Sequence, residues 1–209
     1  MFIYEFLSTI LFLISLPFYA LIRACRKKFI PGWKEKMGYF KSPELGDKVI
    51  MFHGVSVGEV IALENLVKKT KETFPDYKIV ITTGTATGQE IANKKFSSIA
   101  DFITYFPFDI AFCVKLFLKK INPSAVLIAE TELWPTFSFY CKKNNIPLYV
   151  INGRISDSTF KSYRLMKYFF KLFLKNYTKI LTQSEEDKEK FLAIGSPQDR
   201  TDVDRKSVV

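Results

Sequence analysis

The sequence predicts an α/β fold: a Rossmann-like parallel sheet preceded by an N-terminal membrane helix. Three observations carry this. Short β-rich runs alternate with helical patterns through residues 48–203, and strands separated by helices imply right-handed crossovers and parallel pairing. The run Ala125-Val126-Leu127-Ile128-Ala129 is apolar throughout, as expected of a strand covered on both faces. Residues 6–22 carry no charge, and only Glu5 interrupts the run back to Met1; a bilayer-spanning helix needs about 20 such residues.

The apolar N terminus lacks the basic start and small-residue cleavage site of a signal peptide. Positive charge comes after it instead, at Arg23, Arg26, Lys27, Lys28, Lys34, Lys36 and Lys41, against Glu35 alone. Residues 1–22 are therefore expected to be a membrane anchor and 23–47 a basic juxtamembrane linker, with the remainder on the cytoplasmic side. Pro17 either kinks the anchor or marks a segment that enters one leaflet only.

In the domain beyond the linker, strands are expected at 49–52, 78–82, Phe102–Tyr105, Ala125–Ala129, 148–151 and Lys179–Thr182. Val60, Leu63, Val67 and Phe74 recur at helical spacing. Asp109 can cap a helix whose stripe is Ile110, Cys113, Val114, Phe117 and Leu118, stopped before Pro123. Over 161–175, Leu165, Met166, Phe169, Phe170, Leu172 and Phe173 form a wide apolar face beside Lys161, Arg164, Lys167, Lys171 and Lys175. That pattern fits a core helix with a solvated face, or contact with an anionic membrane.

A length of 209 residues bounds the chain to one domain, or one with an appendage. The net charge of +10 fits solubility or an anionic partner. The base-stacking motifs of nucleic-acid modules are not visible, which leaves a phospholipid surface or a phosphorylated substrate. Three cysteines without a CxxC (Cys25, Cys113, Cys141) argue against a disulfide framework, and one histidine argues against structural zinc.

The chemistry concentrates after the strands. Glu130-Thr131-Glu132-Leu133-Trp134-Pro135 comes directly after an apolar strand, where open α/β sheets bind ligands. One of Glu130 and Glu132 is expected to face the crevice and the other to shape the loop through backbone N–H groups. Trp134 can stack on a sugar or pack in the core. Glu59 falls in the first turn of a helix, either as a charge favoured by the macrodipole or as a general base. His53 ends the preceding strand, as a ligand-orienting or a structural residue. The loop Thr82-Thr83-Gly84-Thr85-Ala86-Thr87-Gly88 can offer N–H groups to an anion or serve as turn chemistry only. It lacks the P-loop and dinucleotide fingerprints. Arg154, in Asn152-Gly153-Arg154-Ile155-Ser156, is a phosphate or carboxylate fork, or a salt-bridge partner of Glu130 or Glu132.

Taken in order, these motifs resemble the 3-deoxy-D-manno-octulosonic acid (Kdo) transferases of lipopolysaccharide synthesis. The resemblance also covers Gly32-Trp33-Lys34-Glu35-Lys36-Met37-Gly38, Tyr105-Phe106-Pro107-Phe108-Asp109 and Gln183-Ser184-Glu185-Glu186-Asp187. It implies a GT-B glycosyltransferase at the inner (cytoplasmic) membrane, facing the cytoplasm. Its N-terminal domain (48–203 here) would bind the lipid A precursor lipid IVA, and its C-terminal domain the donor CMP-Kdo, with inversion, no metal and no further cofactor. By the same resemblance Glu59 is the candidate base, and Glu130 and Glu132 are active-site carboxylates. His53, Ser56, Gly58, Thr83, Gly84, Thr85, Gly88, Trp134, Arg154 and Ser156 are the candidate substrate contacts. Nucleic acid is not an expected partner.

Against the family's pattern, a second Rossmann-like domain is not expected within these 209 residues. The donor domain is expected to be missing and the fragment alone inactive. Residues 204–209 can be back-translated as GAT CGG AAG AGC GTC GTG, followed by a TAG stop, a sequencing-adapter pattern, so this tail is expected to be non-native. Another membrane-bound GT-B transferase and a non-catalytic lipid-binding adaptor are the alternatives.

Overall fold

The computed structural model describes residues 30–204 together with Tyr4 and Ile10. Apart from those two residues, the anchor expected over 1–22 lies outside the described residues, as do 205–209 of the tail. Among the described residues no helix is long and apolar enough to cross a membrane.

The domain is α/β. Strands β1 (Val49–Gly54), β2 (Lys78–Thr83), β3 (Phe102–Tyr105), β4 (Ala125–Ala129), β5 (Leu148–Gly153), β6 (Lys179–Thr182) and β7 (Thr201–Val203) form one sheet. Its order is β3-β2-β1-β4-β5-β6-β7, and every described pairing is parallel. Helix α1 (Trp33–Lys36) precedes the first strand, and between the strands run α2 (Val57–Ala62), α3 (Glu64–Thr73), α4 (Ala86–Phe96), α5 (Ala111–Ile121), α6 (Pro135–Lys143), α7 (Asp157–Leu165), α8 (Lys167–Leu174) and α9 (Glu185–Ala193).

Alternation along each strand builds two cores. Phe52, Ile79, Ile81 and Ala129 pack with Val60, Leu63, Val67, Ala92 and Phe96 of α2–α4 and the residue joining α2 to α3. Met51, Val80, Val126 and Ile128 pack on the other side with Phe117, Phe137, Phe173 and Phe191 of α5, α6, α8 and α9. Each fully buried side chain of this size contributes about 1.5–3 kcal/mol relative to exposure.

Several local expectations are corrected. The spacing of Val60 to Phe74 reads as one helix, but it is two, meeting at Leu63, and Phe74 lies past the second, 49% exposed. The helix expected over 161–175 also breaks, at Met166 (φ −100°, ψ 20°). Of its apolar face only Phe170 and Phe173 are buried, while Leu165, Met166 and Leu172 are exposed. Strand β7 was not foreseen; three residues carry too little pattern to be read.

Asp109 caps a helix, though not its own. Its oxygens accept the N–H groups of Thr136 at 2.9 Å and Phe137 at 2.7 Å, at the start of α6, whereas α5 begins after Ile110 without a side-chain cap. The reason is chemical. Trp134, at the cap position of α6, has no side-chain oxygen, and Pro135 has no N–H. The next two donors need an acceptor from elsewhere. Burial pushes the Asp109 carboxyl up to about 6 despite the hydrogen bonds it accepts.

Candidate active site

In a parallel sheet every strand ends at the same edge. Here β2 lies on one side of β1 and β4 on the other. The loops after β1 and β4 therefore diverge at a topological switch point, the crevice where such sheets take ligands. A cavity of about 240 Å³ at this edge is lined by Glu59, Glu130, Thr131, Glu132, Arg154, Ile155, Ser156 and Thr159.

Glu59 is only 7% exposed. Its Oε2 accepts the Val55 N–H at 2.8 Å and its Oε1 the Ser56 N–H at 3.2 Å, while Ser56 Oγ accepts the Glu59 N–H at 3.3 Å. This is a capping box, and it locks the carboxylate against the end of β1. A carboxylate has about four lone-pair sites, so each oxygen can still accept from a ligand.

Glu130 and Glu132 both line the cavity, against the expectation that only one would face it. Glu130 N–H still bonds Ile151 C=O at 2.9 Å, but its φ of +56° turns the chain out of the strand. A non-glycine residue held there costs about 1 kcal/mol or more, a strain that often accompanies function. Burial, then the Glu59 and Glu130 charges, push the half-buried Glu132 carboxyl up to about 7. Glu130 is raised by burial and by Glu59, with Arg154 opposing. Arg154 is exposed and makes no ion pair with either carboxylate among the described residues, so the salt bridge considered from sequence is not formed. Ser156 caps α7, its Oγ accepting the Thr159 N–H at 3.3 Å.

Other expected contacts lie elsewhere. His53 is fully buried below the cavity and stacks on Phe106 at 4.0 Å. Its Nδ1 lies 3.0 Å from Thr82 Oγ1, which donates to Phe52 C=O. That arrangement places the proton on Nδ1 and leaves Nε2 without a partner among the described residues. Burial holds the imidazole neutral, down to about 3. Trp134 packs against the core, 5.4 Å from Phe106, with a buried Nε1–H that lacks an acceptor among the described residues.

The Thr82–Gly88 loop buttresses the site from behind. Thr85 Oγ1 donates to Val55 C=O at 2.9 Å and accepts the Gly88 N–H, so that amide is already used. Thr83 bonds Gln89, and Lys36 Nζ reaches Gly84 C=O at 2.8 Å. A Cβ on Gly84 would sit 2.7 Å from Val55 Cγ1, and one on Gly88 2.8 Å from Val55 C=O. These glycines let the loop press on the turn that holds Glu59. Ser56 and Gly58 stay exposed at the head of α2. Thr131, Ile155 and Thr159 were missed by sequence reasoning; for Thr159, its position three residues after a serine cap was the available signal.

A family described as "3-Deoxy-D-manno-octulosonic-acid transferase (kdotransferase)" matches residues 31–206, which include every residue lining the cavity. The chain belongs to this family. Among curated Kdo transferases, that of Rickettsia bellii is 34% identical over 198 residues, covering 92% of this chain and 46% of its own. The Chlamydia muridarum enzyme is 28% identical, covering 84% and 41%. The chain thus spans about half the length of the curated relatives it matches. Among solved structures, UDP-GlcNAc 2-epimerase from Neisseria meningitidis superposes with a TM-score of 0.51 at 18% identity, covering 75% of this chain and 46% of that one. A Listeria monocytogenes structure titled as a 2-epimerase of the same kind gives 0.53 at 12%. These likenesses concern the fold alone, the half-molecule α/β layer that this Kdo-transferase domain shares with them.

Proposed function

We propose that this chain is the acceptor-binding part of an inverting Kdo transferase that moves Kdo from CMP-Kdo to the lipid A precursor lipid IVA. The observation that supports it most is the meeting of Glu59, Glu130, Glu132 and Arg154 in one cavity at the switch point. In this reading a sugar hydroxyl of the acceptor donates to a free lone pair of Glu59. As its oxygen bonds to the anomeric carbon of Kdo, the proton passes to Glu59 and the anomeric C–O bond to CMP breaks on the opposite face, CMP keeping the electron pair. Arg154, without an ion-pair partner among the described residues, meets a phosphate or carboxylate. The donor is held by the part of the relatives that lies outside the matched half. In this reading Ser56, Gly58 and Ser156 touch the acceptor, while His53, Trp134 and the Thr82–Gly88 loop serve by support.

The test joins this chain to the C-terminal half of the R. bellii relative and offers CMP-Kdo with tetra-acylated lipid IVA. Transfer by the joined protein is expected; transfer with a UDP-sugar but not with CMP-Kdo would overturn the assignment.

Membrane contact belongs to the same reading. Leu165, Tyr168, Leu172 and Met166 are 87%, 76%, 59% and 53% exposed, among Lys161, Arg164, Lys167, Lys171 and Lys175. None of these cations has an ion pair among the described residues. Because α7 starts at the cavity wall, an anionic bilayer against this face would bring headgroups to the carboxylates. Each basic residue near such a surface contributes about 1 kcal/mol. In protein lacking residues 1–22, changing Lys167, Lys171 and Lys175 to Gln should weaken binding to phosphatidylglycerol vesicles about 10²-fold. Unchanged co-sedimentation would remove this face from the membrane.

A further inference from the structure

The Gln183–Asp187 motif takes no part in the chemistry above, yet it reaches the cavity through the backbone. Strand β5 is irregular near its end: Asn152 has φ +52°, and the pairing with β6 shifts between Val150 and Gly153. A bulge of this kind re-aims the residues after it. Those residues are Arg154-Ile155-Ser156, three of the group lining the cavity. Helix α9 grips the middle one on both sides. Asp187 Oδ1 accepts the Ile155 N–H at 2.9 Å, and Lys190 Nζ donates to the Ile155 C=O at 3.2 Å.

Both gripping groups are themselves held. Ser184 Oγ donates to Asp187 Oδ2 at 2.7 Å and accepts the Asp187 N–H at 3.1 Å. Lys190, with its side chain 14% exposed, pairs with Asp157 at 2.7 Å and Glu186 at 2.6 Å. Just before the gripped peptide, Gly153 C=O accepts the Gln183 N–H at 2.9 Å. The Arg154 side chain has no such restraint among the described residues, so what holds it at the cavity is the backbone it springs from.

We infer that Asp187 and Lys190 are positioning residues that clamp the Ile155 peptide and thereby aim Arg154 into the carboxylate cavity. The inference rests on reading that cavity as the place where Arg154 acts. It explains why a capped acidic helix start lies about 30 residues downstream of the arginine it serves. A merely structural role for α9 would leave the cavity's charges as they are.

The test reads Arg154 through its neighbour. Glu130 feels the guanidinium charge, so its titration midpoint, tracked by carboxyl carbon NMR on the full chain, reports where Arg154 points. Arg154→Ala should raise that midpoint. Asp187→Ala should raise it by the same amount, and the double variant no further, since two changes acting through one group do not add. Lys190→Met should move it the same way, and Asp187→Asn, which keeps an acceptor for Ile155, should stay near the parent. Should Asp187→Ala fail to fold, Lys190→Met and Asp187→Asn decide. A midpoint unmoved in Asp187→Ala and Lys190→Met, moved in Asp187→Asn as far as in Arg154→Ala, or unmoved by Arg154→Ala, overturns the clamp. Binding of lipid IVA to Arg154→Ala is measured separately. Coupling intact with binding unchanged would fault the acceptor reading and leave the clamp standing.

Discussion

Replacing Glu59 by glutamine is expected to slow transfer in the joined full-length protein by about 10²–10⁴-fold, the usual worth of a positioned general base. Acceptor binding should persist. Glutamine has the shape of glutamate but offers one oxygen where the capping box uses two. One backbone N–H then loses its partner, and stability should fall by about 1 kcal/mol. Loss of turnover together with folded, acceptor-binding protein is therefore the informative result, checked by Kdo incorporation and a lipid-binding assay on the same preparation. Near-normal turnover would take the proton-accepting role away from Glu59 and turn attention to Glu132.

Glu132→Gln carries the second large effect, and its sign is opposite to that of most substitutions. Burial and the Glu59 and Glu130 charges raise its carboxyl from 4.5 to about 7. Below pH 4.5 both folded and unfolded chains hold the proton. Between 4.5 and 7 the unfolded chain releases it first, so this residue's contribution to stability falls as pH rises, and the full penalty is present above 7. Discounted for partial exposure, that penalty is about 1–2 kcal/mol. Glutamine cannot ionise. The variant should be more stable than the parent at pH 8 and nearly equal to it at pH 4, as measured by denaturant melts at both values. Equal stability at pH 8 would mean that neither burial nor the neighbouring carboxylates raise this carboxyl.

Much of this was legible in the chain. Apolar runs such as Ala125–Ala129 marked strands because a doubly covered strand has no polar face to show. The first-turn place of Glu59 was also legible, whereas its capping box with Ser56 went unread although the serine-to-glutamate spacing was there to show it. The cap of α6 was not legible, because its acceptor, Asp109, lies 27 residues before the first amide it holds. The break at Met166 was hidden by a continuous apolar stripe, only part of which found a core to enter. The hydroxyl-rich Thr82–Gly88 loop looked like an anion site, yet its groups are spent on Val55 and Gln89.

Periodicity and short motifs are local properties, and they were enough to reach the parallel α/β layer, the carboxylates at strand ends and the family. That Glu59, Glu130, Glu132 and Arg154 share one cavity came from the packing of the strands. Strand order depends on which faces pack against which helices, and no local pattern encodes it. The same holds for charge: the Glu132 carboxyl is pushed up to about 7 because burial keeps water away and two carboxylates, Glu59 from the end of another strand among them, are brought beside it.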